Sequence, residues 1–203
     1  TNSGIFDVSH MGEFIVSGDK SLNLIQKISS NDASVLFPGR AQYAYLPNGV
    51  GGVVDDLIIY MIEKDRYMLV VNASNIEKDW DWINKNNDLG AKLENISDQM
   101  SLLAVQGPKA SALLQQITEV DLSSIKFYHF NKGEMAGISN VIISATGYTG
   151  SGGFELYVDN NYAEQLWDAI LAIGVSYNLL PAGLAARDTL RLEMGYCLYG
   201  NDI

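Results

Sequence analysis

The feature of this 203-residue sequence that most restricts its fold is a succession of predicted elements that occurs twice. In each half, a strand is followed by a helix, a hairpin, another strand and another helix. Val16-Ser17-Gly18-Asp19-Lys20 matches Val105-Gln106-Gly107-Pro108-Lys109 at a shift of 89 residues, from 16 to 105. Ile25-Gln26-Lys27-Ile28 falls on Leu114-Gln115-Gln116-Ile117 at the same shift. Because a repeated order of elements indicates repeated structural units, we predict an internal duplication.

The predicted fold class is α+β, with duplicated ferredoxin-like units packed into one body. We place the first α+β unit at residues 1–98. The second unit occupies residues 99–203, which include the start of a following helix or segment. A chain of this length can bury a large core, either as one large domain or as two small ones.

Side-chain periodicity predicts the individual elements. The predicted strands cover residues 13–17, 42–46, 51–60, 67–72, 141–145 and 154–158. Ser74 and Glu77 have the spacing of a capping box, which predicts a helix with Ile76, Trp80 and Ile83 on its inward face.

The last predicted helix, over residues 181–193, carries two arginines four positions apart. We expect Ala186, Leu190 and Met194 to face inward. Arg187 and Arg191 are then expected on a solvated, salt-bridged face.

Two adjacent carboxylates, Asp55 and Asp56, interrupt the apolar strand that ends at Tyr60. Side chains alternate along a strand, so Asp56 shares one face with Ile58 and Tyr60 while Asp55 takes the other. At least one carboxylate therefore points toward the interior or a cleft, where an unpaired charge costs roughly several kcal/mol. In the alternative interpretation, both acids cap turns or meet surface lysines at the start of the strand.

A glycine-rich loop in the second half leads into another acidic strand residue. Residues 147–153 contain four glycines, which allow the backbone to approach another group closely. Glu155 follows inside an apolar strand and repeats the problem posed by Asp56. The alternative is a mobile hairpin loop.

Composition and charge exclude several functions. The chain has 13 basic and 24 acidic residues, a net charge of -11, and no cluster of Lys and Arg, which argues against phosphate-directed nucleic-acid binding. The single cysteine, Cys197, excludes an internal disulfide and fits a reducing compartment. No apolar run reaches about 18 residues, and no signal peptide is recognisable, so no membrane segment is predicted.

Several catalytic arrangements also lack support. His10 and His129 do not have metal-ligand spacing, and no metal site is predicted. Neither a dinucleotide fingerprint nor a P-loop occurs. What remains is a set of strand carboxylates, 11 tyrosines and Asn72 at a strand end. Carboxylates bind amidine-like edges through paired hydrogen bonds and tyrosines form flat walls, so the set suits a flat, polar heterocycle.

The chain resembles the glycine cleavage system T-protein family, the tetrahydrofolate-dependent aminomethyltransferases. The resemblance runs from residue 4 to residue 200 in family order, and it rests on residues 4–13, 51–58, 70–79, 106–108, 146–150 with 154–155, 185–193 and 198–200. The family's leading segment and C-terminal domain have no counterpart, so we expect a fragment that contains the folate-binding core.

The resemblance implies a reaction. The lipoyl arm of the H-protein brings an aminomethyl group as an S-adduct, ammonia is released, and the one-carbon unit passes to tetrahydrofolate. Methylenetetrahydrofolate and a reduced lipoyl arm are the products. Family members act in the bacterial cytoplasm or, in eukaryotes, in the mitochondrial matrix.

The resemblance also implies the site residues. The catalytic aspartate corresponds to Asp56, which would polarise the reacting nitrogens of the folate and stabilise the iminium-like cation formed as ammonia leaves. Glu155 corresponds to the acid that holds the pterin edge. Arg187 would serve the glutamate carboxylates of the folate or another polar edge. The remaining folate-pocket positions correspond to Met11, Tyr43, Tyr60, Asn72, Tyr128 and Tyr148.

Two alternatives remain within the superfamily. One is a folate-dependent demethylase of a small sulfonium or methylamine, which the intact Asp55-Asp56 pair argues against. The other is a non-catalytic folate-binding protein, whose relatives usually carry a Lys-Gly-Cys-Tyr motif that Asn131-Lys132-Gly133-Glu134 does not reproduce.

Overall fold

The computed structural model describes residues 2–203 and has an α+β architecture, as the sequence predicts. The strands are β1 (Ser3–Asp7), β2 (Gly12–Ser17), β3 (Arg40–Pro47), β4 (Val53–Glu63), β5 (Arg66–Val71), β6 (Lys92–Asn95), β7 (Met100–Gln106), β8 (Phe130–Met135), β9 (Ile138–Ser144), β10 (Gly153–Asp159) and β11 (Leu179–Pro181). The α-helices are α1 (Ser21–Ile28), α2 (Ile76–Asn86), α3 (Ala110–Leu114), α4 (Ala163–Gly174) and α5 (Leu184–Glu193).

The chain forms two compact units, each with its own sheet and core. One unit, here the 10–98 unit, contains His10–Asp98; the other, the 99–202 unit, contains Gln99–Asp202 together with the residues up to Ser9. Compared with the proposed division into residues 1–98 and 99–203, the structural division moves β1 into the second unit.

The 10–98 unit is a five-stranded antiparallel sheet with helices on one face. Its strand order is β3-β4-β5-β2-β6. Successive side chains of a strand point to opposite faces of the sheet, so every second residue faces the helices. These residues form a core with α1 and α2 that includes Phe14, Leu24, Leu57, Leu69 and Ile83.

The 99–202 unit is a six-stranded mixed sheet in the order β11-β1-β7-β10-β9-β8. Only the β1–β11 pair, among the pairs of the described chain, runs parallel. Residues of α3 and α4 cover one face, and the core there includes Leu113, Ile143, Leu156, Leu166 and Ile170.

The order of elements confirms the predicted duplication. Starting at β2 and at β7, each unit has a strand, a helix, three strands, a helix and a final strand. The two sheets also correspond, since β3-β4-β5-β2 matches β8-β9-β10-β7. One difference breaks the symmetry: β6 lies directly beside β2, whereas β1 is inserted between β7 and β11.

Two helix predictions are wrong in detail. No side-chain hydrogen bond caps α2, because Ser74 lies inside a short 3-10 helix, Ala73–Asn75, that precedes it. In α5 the buried side chain is Arg191, which donates to Asp188 at 2.8 Å and to Asp202 at 2.6 Å.

These two carboxylates compensate the burial of the Arg191 charge. Ala186 and Met194, expected inside, are exposed.

No helix of the described residues is both long and apolar enough to cross a membrane.

Candidate functional site

Strand β4 places Asp55 and Asp56 on opposite faces of its sheet. Asp55 lies with Leu57 and Ile59 on the face covered by the helices and is 0% exposed. Asp56 lies on the other face and is only partly buried. The predicted alternation is therefore correct, and Asp55 is the more deeply buried carboxylate.

Asp56 is held by two donors on neighbouring strands. The Tyr43 hydroxyl on β3 donates to Asp56 Oδ2 at 2.6 Å. The Asn72 amide, just after β5, donates to Asp56 Oδ1 at 2.6 Å. Burial, followed by the hydrogen bond to Asp56, raises the pKa of Tyr43 far above its ordinary value, so the hydroxyl remains a donor. This arrangement fixes a carboxylate at a sheet face with both oxygens bonded.

Asn72 joins the two aspartates. Its side-chain amide also donates to Asp55 Oδ1 at 2.8 Å, and the same oxygen accepts the backbone N–H of Asp56 at 2.9 Å. Asp55 therefore orients the Asn72 amide, and Asn72 in turn orients the Asp56 carboxylate.

Two further predicted residues lie in the same unit. Tyr60 is on the Asp56 side of β4 and is 0% exposed. Met11 precedes β2 and is partly buried. The hydrogen-bonded group thus contains three of the five predicted residues of this unit: Tyr43, Asp56 and Asn72.

Asp79 is a residue of this region that our sequence reasoning missed. It lies on α2, is 0% exposed, and its pKa is raised by burial and by the Asp55 carboxyl. A signal for it was present, because Ile76, Asp79 and Ile83 have the i, i+3, i+7 spacing of a buried helix face.

The glycine-rich loop of the 99–202 unit connects β9 to β10. A Cβ at Gly147 would lie 2.0 Å from Gln106 Oε1, and a Cβ at Gly153 would lie 2.2 Å from the Val105 carbonyl oxygen. Gly153 also has a φ of 130°, which side chains rarely allow. Glycine is therefore required at position 153 by close approach to the backbone of β7, whereas a side chain at position 147 would have to displace the Gln106 amide.

Gln106 holds this loop in place. Its side-chain nitrogen donates to the carbonyl oxygens of Thr146 at 3.1 Å and Phe154 at 3.3 Å, and its oxygen accepts the Thr149 hydroxyl at 3.0 Å. In the sequence, Gln106 appears only in the repeated segment 105–109 and in a family motif. Its partners lie 40 or more residues away, and periodicity carries no information about them.

Glu155 lies on β10 and is 9% exposed. Its carboxylate accepts a hydrogen bond from the Thr146 hydroxyl. Burial raises the pKa of Glu155, while the Thr146 bond and the positive charge of Arg187 oppose that rise. Thr146 was also missed, although it opens the predicted loop.

Arg187, Tyr148 and Tyr196 form a stacked group beside this loop. The Arg187 guanidinium lies 4.7 Å from the centre of the Tyr148 ring, and the rings of Tyr148 and Tyr196 are 5.9 Å apart. The Tyr148 hydroxyl donates to the carbonyl oxygen of Cys197. Among the predicted residues, Arg187 therefore lies against Tyr148, and its positive charge opposes the rise in the pKa of Glu155.

A cavity of about 240 Å³ opens at the glycine-rich loop. Gln106, Phe127, Tyr196 and the loop residues line it. Tyr128 follows Phe127 with its ring edge-on to it and has a φ of 58°. Among the described residues, no three His, Cys, Asp or Glu side chains are arranged to hold a metal ion.

Glu13, on β2, provides a test of the electrostatics of the 10–98 unit. It is 1% exposed, and burial raises its pKa to about 8. Since the unfolded carboxyl titrates near 4.5, the unfolded state releases this proton first, and stability falls as pH rises from about 4.5 to 8. Glu13→Gln should remove up to about 1.4 kcal/mol per pH unit of that slope.

Urea unfolding at a series of pH values measures this slope. Glu94→Gln is the matched control, because Glu94 is exposed and pairs with Ile15 on the adjacent strand. Equal slopes for wild type and Glu13→Gln would contradict the assignment of a neutral Glu13.

All residues from 1 to 203 match the family model described as the GCVT N-terminal domain. An aminomethyltransferase from Flavobacterium psychrophilum is 61% identical over 203 residues, covering 100% of this chain and 56% of the relative. One from Porphyromonas gingivalis is 57% identical over 202 residues, with the same coverage. The chain therefore spans about half the length of these curated relatives.

A solved structure also matches the whole chain. The crystal structure of glycine cleavage system aminomethyltransferase T from Bartonella henselae aligns with a TM-score of 0.89 and 35% sequence identity. The alignment covers 100% of this chain and 54% of that one.

Proposed function

Because this chain belongs to the family of the GCVT N-terminal domain, we propose that it is the folate-binding core of an aminomethyltransferase, the T-protein of the glycine cleavage system. The proposed reaction takes an aminomethyl group from the lipoyl arm of the H-protein, releases ammonia and passes the one-carbon unit to tetrahydrofolate. The proposed location is the bacterial cytoplasm, or the mitochondrial matrix if the source is eukaryotic.

The observation that carries this proposal is the fixed carboxylate of Asp56. Tyr43 and Asn72 hold both of its oxygens, so its negative charge has a defined position before any substrate binds. We infer that this charge stabilises the positive charge that develops as ammonia leaves. Opposite charges about 4 Å apart gain roughly 4 kcal/mol at an effective dielectric constant near 20. A preformed charge also needs no reorganisation during the reaction.

The chemistry of the side chains in the 99–202 unit also suits a folate. Tetrahydrofolate supplies the nitrogens that accept the one-carbon unit. We propose that the Glu155 carboxylate accepts hydrogen bonds from the N–H edge of the pterin. Arg187 is proposed to bind the glutamate carboxylates of the folate or another polar edge, supported by its position over Tyr148. Met11, Tyr60 and Tyr128 complete the proposed set of binding residues.

The proposed function is tested with a chimera, in which residues 1–203 replace the matching segment of the Flavobacterium psychrophilum relative. We expect ammonia release from aminomethyl-lipoyl H-protein that is strongly accelerated by tetrahydrofolate. Activity on free methylamines or sulfonium compounds, with none on the H-protein adduct, would favour a demethylase instead.

The role of Glu155 makes a separate prediction. Glu155→Gln keeps the shape of the side chain but loses its charge and one acceptor. We expect the affinity of the chimera for tetrahydrofolate to fall by about 1.5–3 kcal/mol, with little change in the melting temperature of the free protein. Isothermal titration calorimetry measures the affinity.

Glu134→Gln, an exposed change on β8, is the charge-matched control for Glu155→Gln. Unchanged affinity in Glu155→Gln would give Glu155 a structural role only.

A further inference from the structure

Asp79 is a buried carboxyl group without a donor. It is 0% exposed, on the face of α2 that faces the core of the 10–98 unit. Among the described residues, no group donates a hydrogen bond to either of its oxygens. A carboxylate that is removed from water and lacks donors is strongly disfavoured, whereas the neutral acid is tolerated. The site therefore suits a protonated side chain.

The neighbouring carboxyl of Asp55 has an oxygen that can accept the proton of a protonated Asp79. Asp55 Oδ1 accepts two hydrogen bonds, but Oδ2 is buried and receives none from the described residues. Asp55 lies on the sheet face that α1 and α2 cover, and Asp79 lies on the buried face of α2. Asp55 also contributes, as a side-chain hydrogen-bond partner, to the raised pKa of Asp79. Two ionised carboxylates cannot donate, but a protonated acid carries an O–H donor. One proton on Asp79 therefore satisfies Asp55 Oδ2 and removes the repulsion between two buried charges.

We propose that Asp79 is a protonated positioning residue that donates to Asp55 and, through Asp55, keeps Asn72 and Asp56 in the geometry used for the reaction. The consequence for catalysis rests on the function proposed above for Asp56.

The path from Asp79 to Asp56 consists of short contacts. Asp55 Oδ1 receives Asn72 Nδ2 at 2.8 Å and the Asp56 backbone N–H at 2.9 Å. The same Asn72 nitrogen donates to Asp56 Oδ1 at 2.6 Å. If Asp55 rotates, the Asn72 amide loses one of its three acceptor oxygens, the other two being the side-chain and backbone oxygens of Asp56. A displacement of about 1 Å at a reacting group can cost 100-fold in rate.

The surrounding charges support a neutral Asp79 at physiological pH. Burial, then the hydrogen bond and charge of Asp55, raise the pKa of Asp79 to about 9. Asp56 on β4 raises it further, while Lys78 on the same helix opposes the rise. Because the pKa is raised, the pair is intact at neutral pH and is lost as pH increases through about 9.

Two substitutions in the chimera separate donation from packing. Asp79→Ala removes the donor, and we expect kcat to fall at least about tenfold while KM for tetrahydrofolate changes less than about twofold. Asp79→Asn retains an N–H donor that does not ionise. We expect it to keep kcat within about threefold of wild type and to abolish the loss of kcat above about pH 9.

Asp81 supplies the matched control, because it is exposed on the same helix. Asp81→Ala and Asp81→Asn should leave kcat and its pH profile unchanged. Equal impairment of Asp79→Asn and Asp79→Ala would overturn the proposal, since the amide donor would then have no effect.

Infrared spectroscopy gives a readout that needs no activity. The difference spectrum between wild type and Asp79→Asn at pH 7 should contain the C=O band of a protonated carboxyl, and this band should disappear as pH rises through about 9. Absence of the band overturns the proposal even if Asp79→Ala does not fold. If the chimera transfers no aminomethyl group but the band is present, the proposed function fails and the Asp79–Asp55 pair remains.

Discussion

Replacing Asp56 by asparagine is expected to lower the rate of aminomethyl transfer by about 100-fold or more while the protein stays folded. The amide keeps the size of the side chain but has no negative charge to stabilise a developing cation. It also places an NH2 group toward either the Tyr43 hydroxyl or the Asn72 amide, both of which donate to Asp56. The measurement is ammonia release by the chimera at saturating tetrahydrofolate.

Two other aspartates provide the comparison for Asp56→Asn. Asp65→Asn, in the turn between β4 and β5, should leave the rate unchanged. Asp55→Asn should cost less than Asp56→Asn, about tenfold, because Asp55 acts through Asn72 and the Asp56 backbone. Similar rates for wild type and Asp56→Asn would remove Asp56 from the chemistry.

Residues 1–203 on their own are expected to give no detectable aminomethyl transfer, at least about 100-fold below the chimera. Catalysis requires the reacting groups to be held in a defined geometry. The segment that matches this chain makes up only 56% of each curated relative, and the rest of the relative is missing from residues 1–203. The isolated chain also exposes apolar side chains of α5, with Leu184 at 50% and Leu192 at 63%. We expect weak tetrahydrofolate binding as well, which tryptophan fluorescence measures through Trp80, Trp82 and Trp167.

The chimera that carries Asp56→Asn provides the low-activity reference for this assay. Circular dichroism establishes whether the isolated chain is folded, so that loss of structure and loss of activity are separated. Turnover by residues 1–203 close to that of the chimera would show that this core is sufficient for catalysis.

Much of the architecture was predictable because it depends on local periodicity. The duplication, the two faces of β4 and the inward face of α2 follow from spacing alone. The error in α5 has a tertiary cause. Arg191 is buried because Asp202, eleven residues later, pairs with it, and helix amphipathicity contains no information about that partner.

The candidate site shows the same limit. Periodicity assigned Asp56 to a face but did not reveal that Tyr43 and Asn72 hold it. Asp79 was on a recognisable buried stripe, yet the pairing of two acids depends on a proton that no residue pattern encodes. The assignments of the folate-binding residues stay predictions until binding is measured.

The insertion of β1 between β7 and β11 gives the two units different folding problems. Every strand pair of the 10–98 unit joins segments within about 80 residues of each other, so that unit assembles from one continuous stretch. In the 99–202 unit, Ile5 pairs with Val105 and Ser3 with Leu179. Each of these pairings closes a segment of chain that contains all of residues 10–98. Loop-closure entropy grows only slowly with length, but non-local pairing slows folding. During synthesis, β1 leaves the ribosome before β7 and β11 and must wait for the partners on both of its edges.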